Sequence, residues 1–172
     1  MYELGGCLAD DMGLGKTIQT LALLAKAREK GEMQRALVVC PVSTLGNWAR
    51  EVRTFTPHFT VCIHSGPKRA RTAHDLEPFD IILVGYATMR RDVRIFRDLQ
   101  LDYLILDEAQ VIKNPKTKRR KAAASIQAPH RPALIGSAVQ GRLQPTGPLR
   151  RERSRRRSEE LRILSSRGRA GR

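Results

Sequence analysis

Short apolar runs alternate with amphipathic stretches along most of the chain. Six runs predict strands: Gly6–Ala9, Arg35–Cys40, Thr60–His64, Asp80–Val84, Tyr103–Asp107 and Pro132–Ile135. They are continuous in Leu and β-branched residues rather than alternating with polar ones, the pattern of strands buried on both faces of a parallel sheet. Helical spacing appears between them. Lys16–Lys30 repeats apolar residues at Ile18, Leu21, Leu24 and Ala25 and stops at Gly31, a C-terminal cap residue. Ser43–Phe55 opens on Ser43, a good N-cap, and ends before Thr56-Pro57; Lys116–Gln127 is a third helix, basic on its exposed side. Strand–helix alternation of this kind predicts a three-layer α/β domain with a mostly parallel central sheet.

The alternation stops after Leu143, which predicts a domain over residues 1–143 and a tail over 144–172. The tail mixes Arg, Ser, Gly, Pro and Glu and has few apolar residues, too few to offset the entropy of ordering it. It is expected to be disordered. Of the net charge of +15, the tail carries about half and the body the remainder, so the body is basic in its own right. A basic body is what a surface meeting phosphate backbones requires. No apolar run approaches the roughly 18 residues of a membrane span, and the first residues lack the regions of a signal peptide. The expectation is an intracellular protein with no membrane partner: cytoplasmic and nucleoid-associated in a bacterium, nuclear in a eukaryote. Cys7, Cys40 and Cys62 stand singly and are expected to be buried, inert thiols. His58, His64, His74 and His130 show no metal-ligand spacing.

Candidate chemistry enters at two places. Asp10-Asp11-Met12-Gly13-Leu14-Gly15-Lys16-Thr17 follows a strand and opens a helix, the context of a P-loop. Glycines let successive N–H groups of Asp11, Met12, Gly13, Leu14 and Gly15 turn around an anion. The helix N-terminus adds partial positive charge. Lys16 supplies a full charge for the β- and γ-phosphates, and the Thr17 hydroxyl can ligate magnesium. The second place is Leu104–Gln110, an apolar strand that ends in Asp107-Glu108. Asp107 is placed to hold the magnesium ion through water, and Glu108 to orient and polarise the attacking water. A nucleoside triphosphate and magnesium are therefore the expected cofactors.

Residues 5–20 closely resemble motif I of the Swi/Snf-type ATPases of helicase superfamily 2, which carry Asp where Asp10 replaces the usual first P-loop glycine. Cys40–Trp48 resembles motif Ia, and Asp107–Gln110 followed by Ile112–Pro115 is similar to motif II; the forms are those of prokaryotic members. The Asp10, Gln110 and Ile112–Pro115 features separate the chain from DEAD-box RNA helicases. The resemblance covers residues 5–143 and implies an N-terminal RecA-like lobe of an ATPase stimulated by double-stranded DNA, and with it ATP as the nucleotide. Such enzymes translocate on the duplex and remodel protein–DNA complexes without separating strands. Ser43, Thr44 and Asn47 are the implied contacts to the DNA backbone, through groups that bond phosphates without reading sequence. Trp48 is expected to pack in the core.

Gln110, Gly136 and Ser137 are the implied positions that couple hydrolysis to movement. Here Ile135–Gly141 departs from the Thr-Gly-Thr-Pro pattern of motif III. The resemblance also implies a second RecA-like lobe that carries arginine fingers, and nothing after Leu143 resembles it. The chain alone is therefore expected to hydrolyse ATP slowly or not at all. Two other readings stay open beside the enzyme lobe: a non-catalytic nucleic-acid-binding fragment, and a truncated, frame-disrupted product.

Overall fold

The computed structural model describes residues 7–10, 15–112, 114 and 117–136, with the backbone alone at 7–10 and 135–136. The chain divides after Val139 into two units, and every described residue belongs to the first. The expected tail at 144–172 lies outside the described residues.

All six expected strands are present, each within a residue or two of its expected bounds. They are β1 (Cys7–Asp10), β2 (Ala36–Cys40), β3 (Val61–His64), β4 (Ile81–Gly85), β5 (Tyr103–Leu106) and β6 (Ala133–Gly136). They form one sheet in the order β1-β6-β5-β2-β4-β3, and every pairing is parallel. All C-terminal strand ends therefore lie along one edge. Central β2 and β4 are buried at every position, as their continuous apolar runs predict. Edge strand β3 departs from that reading: Ile63 is 40% exposed because only β4 flanks it.

Alternate residues of β2 serve opposite faces. Ala36, Val38 and Cys40 join a core with α1 (Lys16–Glu29) and α2 (Leu45–Phe55). Leu37 and Val39 join a second core beneath α3 (Tyr86–Arg91), α4 (Val93–Asp98) and α5 (Lys118–Ser125). This is the predicted three-layer arrangement, with a period of two in the strand distributing residues to the two helical layers.

α1 ends as its glycine predicts. Gly31 takes φ 73°, its N–H bonds the Arg28 carbonyl, and the Glu32 N–H reaches back to Ala27. These two bonds satisfy carbonyls that the helix end would otherwise leave open. Within α1, Leu21 and Leu24 are buried, but Ile18 is exposed at the head of the helix. α2 buries Leu45, Trp48, Ala49 and Val52, the i, i+3, i+4, i+7 stripe of an amphipathic helix. Its start differs from expectation. A 3-10 turn over Val42–Thr44 follows Pro41, and Thr44, not Ser43, stands at the cap position. Pro41 at φ −57° begins that tight turn, so the α-helix starts two residues late. α5 is shorter than expected because the Thr117 hydroxyl accepts the Arg120 N–H and caps it there. Its Lys118, Arg119, Arg120 and Lys121 are exposed, as expected of a basic outer side.

α3 and α4 went unpredicted. Each spans six residues, too few for a helical period to show, and Asp92 separates them.

Candidate nucleotide site on the C-terminal sheet edge

The parallel order brings the C-terminal ends of the strands to one edge. Asp10 of β1 pairs with Gly136 of β6, and Ala133 of β6 pairs with Leu106 of β5. β6 therefore lies between the strand that leads into the Lys16–Thr17 segment and the strand that leads into Asp107–Glu108. At about 4.8 Å per strand, β1 and β5 run roughly 10 Å apart across the sheet. Gly136, expected to couple, ends the intervening strand; Ser137 lies outside the described residues.

Asp11, Met12, Gly13 and Leu14 also lie outside the described residues. Immediately after them, Gly15 takes φ 75° at the N-cap position, and α1 opens on Lys16 and Thr17, both half-buried. A positive φ here is the conformation that glycine adopts without a Cβ penalty. The fourteen-residue α1 thus directs its N-terminus at the sheet edge, with a cation and a hydroxyl in its first turn.

Asp107 is fixed on every side. Its N–H donates to the Val39 carbonyl at 2.8 Å, extending the β2–β5 pairing by one residue. Its carbonyl accepts the Tyr86 hydroxyl at 2.7 Å. Its carboxylate accepts the Glu108 N–H on Oδ1 at 2.9 Å and the Trp48 indole N–H on Oδ2 at 2.9 Å. Each carboxylate oxygen can still accept a further bond. Burial, then the charges of Asp107, Cys40 and Glu108, push the Tyr86 phenol pKa well above its ordinary range. Tyr86 thus remains a donor at neutral pH.

Glu108 adopts φ 53°, a left-handed conformation. The Gln110 amide Nε2 donates to Glu108 Oε2, while Gln110 Oε1 is buried with no partner among the described residues. The pair Asp107 and Thr17 offers hard oxygen donors of the kind magnesium takes, with water and phosphate oxygens completing its shell. The donor set and the open Gln110 oxygen both suit a site that receives further polar groups. The residues fit the ion.

After β2, Ser43 in the turn and Asn47 in the first turn of α2 are exposed, and Thr44 is half-buried. The Thr44 hydroxyl donates to the Pro41 carbonyl at 2.9 Å, so its proton is committed within the turn. Asn47 Oδ1 accepts Arg50 Nη2 at 2.9 Å, which sets a guanidinium beside that exposed candidate. Gly85 supports the same turn from β4: a Cβ there would stand 2.8 Å from Val42 Cγ2.

Sequence reading missed Trp48 and Tyr86 as parts of this site. Trp48 does pack in the core, at 2% exposure, yet its one polar atom holds Asp107. The available signal was general: a buried indole N–H needs a partner. Cys40 is buried, and burial pushes its pKa up to about 11, which fits an inert thiol. Cys62 is only half-buried, a correction that follows from its place on edge strand β3. The Cys7 side chain is not among those described. Among the described residues, no group of three or more His, Cys, Asp or Glu converges as a metal site, and no helix is long and apolar enough to cross a membrane.

Comparison with known proteins adds the family. The SNF2-related domain model matches residues 1–149. A putative ATP-dependent helicase/translocase of Bacillus subtilis, YwqA, is 40% identical over 144 residues, covering 81% of this chain and 16% of that protein. The human TATA-binding protein-associated factor 172 is 37% identical over 155 residues, covering 81% and 8%. The chain thus spans less than a fifth of the length of these relatives. Among solved structures, the Sulfolobus solfataricus SWI2/SNF2 ATPase core in complex with dsDNA superposes with a TM-score of 0.71 at 42% identity, covering 78% of this chain and 28% of that one. With more than half of its length matched by the domain model, and with its fold in agreement, the chain belongs to the SNF2-related family of helicase-like ATPases.

Proposed function

We propose that this chain is the ATP-binding lobe of a double-stranded-DNA-dependent ATPase and translocase. The observation that carries the reading is the shared sheet edge: the head of α1, with Lys16 and Thr17, and the β5 end, with Asp107 and Glu108, flank one strand. Membership of an ATPase family and likeness to a core solved with dsDNA support it.

In this reading the amides of Asp11–Gly15 surround the phosphates, and Lys16 meets the β- and γ-phosphates. Thr17 and Asp107 hold magnesium, which when bound supplies positive charge at the phosphate oxygens. Glu108 accepts a hydrogen bond from the attacking water and orients it, and the Gln110 amide holds Glu108 for that task. Ser43 and Asn47 donate to one DNA strand; Thr44, with its proton committed, positions the turn and can only accept. Gly136, which ends the strand between the two halves of the site, and Ser137, the next residue in sequence, pass its state onward. Turnover requires a second RecA-like lobe, which supplies arginine to the transferring phosphoryl group.

The test is nucleotide binding. Lys16→Ala should weaken Mg–ATP binding at least tenfold, since a charge-assisted contact is worth about 1.5–3 kcal/mol. Equal affinity in variant and parent would remove Lys16 from the phosphate site and the proposal with it.

A further inference from the structure

The Trp48 indole explains more than packing. Its neighbours on α2, Leu45, Ala49 and Val52, are all apolar and buried, so packing alone would be met by any large hydrophobe. A buried indole adds one polar atom that must be satisfied. That atom donates to Asp107 Oδ2 at 2.9 Å, across 59 residues of sequence. The other carboxylate oxygen accepts the N–H of the next residue, Glu108. The remaining bonds to Asp107, from Val39 and Tyr86, engage its main chain. Among the described side chains, Trp48 is therefore the one that orients this carboxylate.

We infer that Trp48 is a positioning residue for magnesium: its indole N–H fixes the rotamer of Asp107 and presents the carboxylate's free lone pairs to the ion. The inference rests on the proposed magnesium role of Asp107. A neutral donor suits the task better than Lys or Arg would. It orients the carboxylate without a full positive charge that would compete with the cation. Trp48 is also the only tryptophan of the chain, so its emission reports on this one bond.

Two measurements on the full chain test this. In the first, ADP binding is followed by calorimetry with magnesium chloride and again with EDTA. The parent should bind more tightly with magnesium. Trp48→Phe keeps the ring bulk and removes the donor. It should lose about tenfold of the magnesium-dependent gain, about 1.4 kcal/mol, and keep its magnesium-free affinity. A purely structural role would lower both affinities together or neither; a full magnesium gain in the folded Phe variant overturns the inference. The second measurement needs no change at Trp48. Emission excited at 295 nm should shift when magnesium joins ADP on the parent, and should not respond to magnesium in Asp107→Ala. Unchanged emission alongside calorimetrically detected magnesium-dependent binding overturns the inference even where the Phe variant fails to fold. Absence of any magnesium gain in the parent overturns the underlying assignment of Asp107 itself, and so separates the two failures.

Discussion

Glu108, the residue proposed to orient the attacking water, adopts φ 53°. An L-residue in the left-handed region pays about 1–2 kcal/mol relative to right-handed backbone. The perturbation that isolates this term is a pair of variants, Glu108→Ala and Glu108→Gly. Both delete the carboxylate and the contact with Gln110, so their difference leaves the backbone term. Glycine relieves the strain but adds about 0.4–1 kcal/mol of unfolded-chain entropy. The net should favour the Gly variant by about 0.5–1 kcal/mol. At roughly 2–4 °C per kcal/mol for a domain of this size, that is a Tm higher by about 1–4 °C. The assay is thermal unfolding of both variants by far-UV circular dichroism at pH 7. An Ala variant as stable as the Gly variant, or more so, would mean that the turn carries no left-handed strain. Neither variant should hydrolyse ATP even within a two-lobe enzyme, because both lack the carboxylate proposed to orient the water, as expected where strain is held at a working site.

Two further predictions concern the scaffold. At the opposite edge of the sheet, Arg35 donates to the carbonyls of Phe79, Gln100 and Glu77, joining two loops beneath β2. Arg35→Ala should cost about 2 kcal/mol in urea unfolding, and Arg35→Lys should recover only part because an ammonium lacks the planar fork; an unchanged midpoint in both would discard this role. Asp92 binds Arg69 and His64, and the Arg69 contact holds its carboxyl below the ordinary carboxylate pKa. A lowered folded pKa means that its stability is present above the unfolded value, near 4, and is lost as pH falls through the folded one. Unfolding followed from pH 6 to pH 2 should therefore show a shallower loss in Asp92→Asn than in the parent, and parallel curves would count against it.

The strands were legible because their signal is local and one-dimensional. A continuous run such as Ala36–Cys40 can satisfy its apolar side chains only between two layers. The Gly15 and Gly31 conformations were legible for a similar reason, since each position asks for a backbone state that glycine adopts freely. Short, Arg-rich α3 and α4 were not legible, because six residues carry too little period and their apolar positions gain meaning only against Leu37 and Val39 on the sheet. The Ser43 cap failed because the turn after Pro41 took up residues that a sequence pattern would give to the helix.

The same division runs through the site. Residue types in order along the chain determined which groups are present: Lys16 and Thr17 at a helix start, Asp107 and Glu108 after a strand, and the family to which such motifs belong. Spacing along the chain holds no information on which strand lies between β1 and β5, and that depends on the packing of the whole sheet. Nor could it reveal that the Trp48 N–H and the Tyr86 hydroxyl converge on Asp107 from α2 and α3. Those bonds form because burial forces each polar atom to find a partner, and the partner within reach is set by tertiary packing rather than by sequence neighbours.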